Sequence, residues 1–419
     1  SNNDFDCIIV GAGASGMMCA SILAKSKLSV AILDGNERVG RKLSLTGNGR
    51  CNLTNDNLDT SRYYTDSRPL LEQALKAFSA SRTLDFFEKE LGVITTSKDG
   101  LRYPFTNKAS TVVDALRFYC SDNGISLLLS NKVKSITKKA DRYELYTTEG
   151  QLFSAKTVVV ACGGKSYAAS GSDGSGYSIL SGFEDASSFE RLAPSLVQLV
   201  INDCDITSLS GTKANVVVKL LVGHHSEQTI AQEEGELLFT DYGVSGICIM
   251  QLSSACIDYA AKNSRYPILS IDFFKDYSFS QSVDLIKDRK ERFSQRSCVD
   301  ALSGMLPSKL IEVILKHSQI VPDMSISQLT DTQINNLSKQ LNCFNVKING
   351  TKGFDTAQVT RGGLKLSTLK GTSMELNNHD GLYACGEILN VDGPCGGYNL
   401  QWAWTSGALA AYGVLSKLQ

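Results

Sequence analysis

Histidine is scarce in this chain. His224, His225, His317 and His379 never fall at the H-x-x-x-H or H-E-x-x-H spacing that sets two ligands on one helix face, so no metal site and no zinc hydrolase are expected. Cysteine is present 12 times but never as a C-x-x-C pair, and several thiols lie inside apolar runs. They read as reduced side chains of a cytoplasmic protein rather than as a disulfide framework. An excess of positive charge is missing too. The 42 Lys and Arg stand against 43 Asp and Glu, a net charge of −1, far from the basic balance that favours nucleic acid, so no nucleic-acid partner is expected. No uncharged apolar run approaches the roughly 20 residues of a membrane span. The nearest, Ile247 to Ala261, is broken by Gln251, Ser253, Ser254 and Asp258. Phe5 to Val10 runs straight into glycines, with no charged segment leading a longer apolar one, so neither a secretion signal nor a membrane partner is expected.

What is present reads as α/β. The 419 residues suit two to three domains. Phe5 to Val10 resembles a strand buried on both faces, Met17 to Ala24 a helix, and Ser29 to Leu33 a second strand ending at Asp34. Ser67 and Pro69 start a helix through Phe78, Ser81 is expected to cap another through Leu91, and Thr111 to Cys120 forms one more. Ile125–Leu129, Val133–Ile136, Tyr143–Thr147 and Phe153 read as a meander, and Val158 to Ala161 as a separate parallel strand. From Leu196 the pattern changes to polar turns between Val197–Ile201, Val216–Val222, Leu237–Phe239 and Ile268–Phe273, with His224 and His225 in a turn after Val222. Helical spacing follows at Ser282–Phe293, Ser308–Lys316 and Thr330–Leu341, where Thr330 and Gln333 match a capping box. The expected domains are 1–190 with 351–419, an inserted antiparallel unit over 191–275, and a small helical part over 276–350.

The chemistry is concentrated in glycine-rich loops. Gly11-Ala12-Gly13-Ala14-Ser15-Gly16 follows a strand and opens a helix, which lets bare backbone approach a pyrophosphate. Asp34, 23 residues beyond Gly11, is placed to accept both ribose hydroxyls, and its charge disfavours a 2′-phosphate. Gly40-Arg41-Lys42 and Thr46-Gly47-Asn48-Gly49-Arg50-Cys51-Asn52 form a long polar loop after the second strand. A third element, Gly381 to Glu387, is a strand ending at Gly386. It leads through Asp392-Gly393 and Gly396-Gly397-Tyr398-Asn399-Leu400-Gln401 into a helix from Trp402 to Leu415.

These segments, with Gly163-Gly164-Lys165-Ser166-Tyr167 and Phe239 to Gly246, resemble the BaiN/YhiN-type family of NAD(P)/FAD-dependent oxidoreductases, also described as aminoacetone oxidase-like flavoproteins. The resemblance covers nearly the whole chain. It implies a glutathione-reductase-type, Rossmann-like FAD domain with an inserted antiparallel β-barrel and a small helical subdomain, and non-covalent FAD. Ala161 and Gly163 follow the parallel strand, and Val133 is implied to contact adenine through its backbone. Asp392 is expected at the ribityl or phosphate-linked hydroxyls, and Asn399, Leu400 and Gln401 are expected to aim backbone donors at the flavin pyrimidine edge. Asp34 stands where glutamate is usual in the family, and Ala168 where proline is common.

No catalytic group is fixed by this reading. Tyr103 and Tyr398 are candidate proton donors or packed aromatics, and Arg361 either holds an anionic substrate or closes a surface salt bridge. Cys51 favours packing over redox exchange. The leading expectation is a hydride-transferring oxidoreductase acting between flavin N5 and a small organic substrate. NAD(P)H would be a transient reductant, because no second G-x-G-x-x-G follows a strand. A small-amine oxidase using O2, a tRNA-modifying flavoprotein and a non-catalytic flavin sensor are the alternatives. Oligomeric state is left open.

Overall fold

The computed structural model describes residues 3–223 and 228–419; the expected turn at His224 and His225 lies outside them. The chain forms two compact units, Ser1–Pro194 with Ala357–Gln419, and Ser195–Thr356.

The first unit is a Rossmann-like α/β layer. Its seven-stranded sheet runs Ser126–Leu128, Val30–Leu33, Asp4–Val10, Leu152–Val160, Arg142–Thr147, Val133–Lys139, with Leu382–Ala384 also paired to Leu152–Val160. Cys7–Val10 and Val30–Leu33 are buried without alternation, as strands covered on both faces must be. Leu152–Val160 corrects the reading of two separate strands. Leu152–Ala155 pairs antiparallel with Tyr143–Tyr146, and Val158–Val160 pairs parallel with Leu382–Ala384, so one strand joins the meander to the parallel sheet.

The Ala14–Leu23 helix packs against the long Tyr398–Leu418 helix. The approach is close: a Cβ at Gly407 would lie 2.3 Å from the Ser15 carbonyl oxygen. The helix expected to start at Ser81 begins earlier. Ser79 caps Ala80–Asp85 by accepting from the Arg82 N–H, and a π-helical turn over Phe86–Glu90 continues it to Gly92, whose φ is +70°.

The second unit is built on another seven-stranded sheet, in which every pairing is antiparallel. The order is Phe344–Lys347, Ile268–Asp272, Lys213–Val222, Gln228–Thr240, Gly243–Ser245, Leu199–Val200, Gly350–Thr351. Its two edge strands are joined by Ile348 and Asn349 alone, so the sheet curls until the edges lie within about 10 Å, the reach of three extended residues. The helices Phe279–Arg292, Cys298–Leu302, Ser308–His317 and Asp331–Asn342 share one apolar core with this sheet. Thr330 and Gln333 form the expected capping box. The broken apolar run at Ile247 is a helix, Ile247–Asn263, seated on the sheet through Cys248, Leu252 and Cys256. No helix of the described residues is long and apolar enough to cross a membrane.

Candidate cofactor site

At the carboxyl ends of the parallel strands, backbone replaces side chain. Gly11 donates to the Leu33 carbonyl at 2.8 Å with φ +111°, and a Cβ there would lie 2.3 Å from the Ala161 oxygen. A Cβ at Gly16 would lie 2.0 Å from the Gly11 oxygen. Both positions therefore admit only glycine if the turn is to close. Gly13 is different. It caps the Ala14–Leu23 helix with no side-chain bond, and nothing lies within 4 Å of where its Cβ would be. The first intrahelical bond runs from Met17 N to Gly13 O, so the N–H groups of Ala14, Ser15 and Gly16 at the helix start have no partner within the helix.

Asp34 stands beside this opening. Its Oδ2 accepts from Ala12 N and its Oδ1 from Asn36 N, each at 2.7 Å, which fixes the carboxylate at the tip of Val30–Leu33. The Asn131 N–H donates to the Asp34 carbonyl at 2.8 Å, while Asn131 Oδ1 is buried without a hydrogen-bond partner. Val133 follows at a strand irregularity, 5 % exposed and opposite Thr147. Gly40 donates to the Ala12 carbonyl at 2.8 Å and Gly163 lies against Ser172. The open Gly13 cradle, the fixed Asp34 carboxylate and the orphaned Asn131 oxygen fit the pyrophosphate and ribose of an ADP-containing cofactor.

The polar loop and the Gly386 to Gln401 segment meet in the same unit. Lys42 Nζ pairs with Glu387 Oε2 at 2.7 Å, and Glu387 Oε1 accepts from Thr360 N at 2.8 Å. Thr360 Oγ1 in turn accepts from Lys165 N and Ser166 N at 2.8 and 3.0 Å. Gly386 donates to Ser406 Oγ and lies against Ser15, where a Cβ would meet Ser15 Oγ at 2.3 Å. Gly47, Asn48, Gly49 and Cys51 all have positive φ, which folds the Thr46 to Asn52 loop back on itself. Arg50 Nε donates to Gly47 O at 3.2 Å, its guanidinium stands 5.6 Å from the Tyr103 ring centroid, and Arg41 only brushes Asn36 at 3.4 Å. Cys51 is fully buried, and that burial pushes its thiol up to about 12 against a weak opposing bond from Thr46. It is packed and poorly nucleophilic.

The Tyr398–Leu418 helix starts where expected, with Gly397 as its cap at φ +86° against the Thr54 backbone. One expected donor is lost: Gln401 N is spent on Gly397 O at 2.9 Å. Its side chain is buried among Thr54, Thr83 and Thr405. The free backbone donors of this turn are Tyr398, Asn399 and Leu400. The Asn399 side chain is also occupied, exchanging two bonds with the Gly393 backbone at 2.9 and 2.8 Å.

Arg361 closes a salt bridge, one of the two roles expected for it, but inside the fold rather than at the surface. It forms an ion pair with Asp392 at 3.1 Å, with side-chain exposures of 13 and 2 %, and lies 4.3 Å from the Tyr64 ring centroid. Both Asp392 oxygens face Arg361. Tyr398 is packed, 3 % exposed, and its hydroxyl accepts from Asp59 N at 3.2 Å. Sequence reasoning missed Asn131 and Thr360. Thr360 joins segments 194 and 195 residues apart, and no local pattern announces it.

One group of three metal-ligand side chains occurs among the described residues: Asp203, Asp205 and His317 in the second unit. His317 and Lys316 already face Asp205, at 3.5 and 4.0 Å.

A Rossmann-like layer with this glycine cradle defines a dinucleotide-binding protein, and residues 5–413 match the HI0933-like protein Rossmann domain family, to which the chain belongs. This is a family of FAD-dependent oxidoreductases of the BaiN/YhiN type. Among its relatives is the 3-dehydro-bile acid delta(4,6)-reductase of Clostridium scindens, 34 % identical over 96 % of this chain and 97 % of that protein. The ribosomal RNA dihydrouridine synthase of Haemophilus influenzae is 30 % identical over 97 % of this chain and 98 % of its own. In fold, the chain is similar to the 3-ketosteroid delta1-dehydrogenase of Sterolibacterium denitrificans, with TM-score 0.54, 12 % identity and coverage of 99 and 100 %. The second relative overturns the expectation that nucleic acid is excluded as a partner. A net charge of −1 sums over the whole surface and does not report on any one face of it.

Proposed function

We propose that the protein reduces a carbon–carbon double bond conjugated to a carbonyl group, with FAD as its hydride carrier. The observation that carries this is chemical. The two relatives bear the names of unlike substrates, a bile-acid derivative and an RNA uridine, yet a delta(4,6)-reductase of a 3-dehydro compound and a dihydrouridine synthase both saturate such a bond. Bound FAD would supply hydride transfer, with NAD(P)H as the source and the carbon β to the carbonyl as the acceptor, and the chain would supply the proton for the α carbon.

The chain's own part is binding and charge. In this reading Ala14, Ser15 and Gly16 offer N–H groups to the pyrophosphate, Asp34 takes the ribose hydroxyls, and the backbone of Val133 takes adenine. Tyr398, Asn399 and Leu400 supply donors for negative charge on the reduced ring. Arg361 and Tyr398 are engaged inside the fold. We therefore assign the proton to Tyr103, which sits under Arg50 of the polar loop.

The test is anaerobic mixing of the FAD-loaded protein with NADH or NADPH, followed by a 3-keto-4-ene steroid acid or a uridine-containing RNA. Flavin reoxidation with a product heavier by two hydrogens supports the reading and names the substrate class. Flavin that stays reduced with both alkenes unchanged, and reoxidises only once O2 is admitted, refutes it and favours an oxidase. Tyr103→Phe should leave reduction by NAD(P)H unaltered while slowing alkene reduction about 10²-fold or more.

A further inference from the structure

The strand Lys213–Val222 buries Val216, Val218 and Leu220 in the core of the second unit, so Val217, Lys219 and Leu221 stand on the opposite face of the sheet. Register places Asp272 opposite Val217, Ser270 opposite Lys219 and Thr229 opposite Leu221. With Asn342 and Cys343 these residues line a cavity of about 260 Å³. That is slightly below the usual range for drug-sized ligands, about 300–1,000 Å³, and matches a small metabolite rather than a steroid or a dinucleotide.

Two charges of opposite sign face this space without meeting. Among the described residues Lys219, half-buried, makes no ion pair; it acts on Asp272 only through space. Asp272 Oδ1 accepts from Phe274 N at 2.9 Å and from Asn342 Nδ2 at 3.4 Å, and among the described residues its Oδ2 has no hydrogen-bond donor. The neighbouring groups are already satisfied. Glu234, opposite Val217, is held by Lys275 at 2.9 Å, and Lys275 also reaches Asp276 at 3.3 Å. Ser270 Oγ lies 3.3 Å from Cys343 Sγ, and the Asn342 oxygen accepts from Ser282. Burial pushes the Asp272 carboxyl above its ordinary value, which is the cost of holding a carboxylate there with no cation in contact. A ligand that brings both counter-charges relieves that cost at each end.

We propose that this cavity binds a small zwitterion of the amino-acid class, with its carboxylate on Lys219, its ammonium on Asp272 and its apolar part against Val217 and Leu221. The site lies wholly within the second unit, whereas the glycine cradle belongs to the first, so the inference does not depend on the alkene-reduction reading.

Calorimetric titration of the full, FAD-loaded chain with L-valine tests it. Isovalerate and isobutylamine, which each keep one charge, serve as comparators. The expected result is saturable one-to-one binding of L-valine, at least about tenfold weaker binding of either comparator, and a similar loss in Lys219→Met and Asp272→Asn. Asp272→Asn retains an oxygen for the Phe274 N–H, and an unchanged circular-dichroism spectrum and melt in both variants shows that the second unit stays folded. Absence of L-valine binding at millimolar concentration overturns the proposal. So does equal binding of isovalerate, which marks a simple anion site, or undiminished binding in Lys219→Met.

Discussion

An alanine methyl at Gly13 meets open space, whereas at Gly11 it collides with the Ala161 carbonyl. The two glycines therefore separate cofactor binding from folding. Gly13→Ala should alter unfolding free energy by no more than about 1 kcal/mol, the scale of a cap change. It should lower FAD retention severalfold, read as the flavin-to-protein absorbance ratio after desalting; full retention would place the pyrophosphate elsewhere. Asp173 offers a pH test. Burial raises its carboxyl, but Lys132 at 2.5 Å and the bonds from Ser175 outweigh that and bring it down to about 2. A carboxyl lowered in the folded state stabilises it above the unfolded value near 4 and loses that contribution as pH falls towards 2. Because the pair is partly exposed, Asp173→Asn should cost about 0.2–1 kcal/mol at pH 7, a cost that shrinks as pH falls through about 2, measured by denaturant unfolding. The glycines and Asp34 were legible in the sequence because their geometry is local. The partner of Arg361 was not legible, because Asp392 lies 31 residues away and both are nearly buried, which no spacing discloses.

Among the elements, Leu152–Val160 shows how a correct local reading gives a wrong boundary. Its first half alternates, with one face exposed, and its second half is buried throughout. The hydrophobic period changes inside one strand, and the sequence looks like two. Ser79 and Ser81 are equally good caps by composition; the backbone decides for Ser79, and Ser81 falls inside the helix. The Tyr398–Leu418 helix permits a sharper test. Leu400 N lies before the first intrahelical donor, Gln401, so Leu400→Pro removes a hydrogen that the helix does not use. Secondary structure should survive. If this turn stabilises the reduced ring, the two-electron midpoint potential should fall by up to about 60 mV, the equivalent of about 3 kcal/mol for one such donor. An unshifted potential with FAD still bound would detach the helix from that role.

At the scale of the whole molecule, Ser195–Thr356 has its own core and its own sheet, and the chain passes to and from it along one short ladder, Phe189–Ser195 beside Val359–Leu364. A fragment spanning Ser195–Thr356 should therefore unfold cooperatively by itself in a circular-dichroism melt; a gradual, non-cooperative melt would show that its core depends on the rest. The first unit has no such independence, because Leu382–Ala384 and the Tyr398–Leu418 helix complete it from the far side of the insertion. That arrangement imposes a schedule on the ribosome. The 162 residues of the second unit must be translated between the two portions of the first, a delay of roughly 10–30 s at common elongation rates. Throughout it the nascent Ala14–Leu23 helix waits with its apolar flank uncovered, a target for chaperones. Pulse-labelled hydrogen exchange on arrested nascent chains should find amides of Lys213–Val222 protected while those of Asp4–Val10 still exchange.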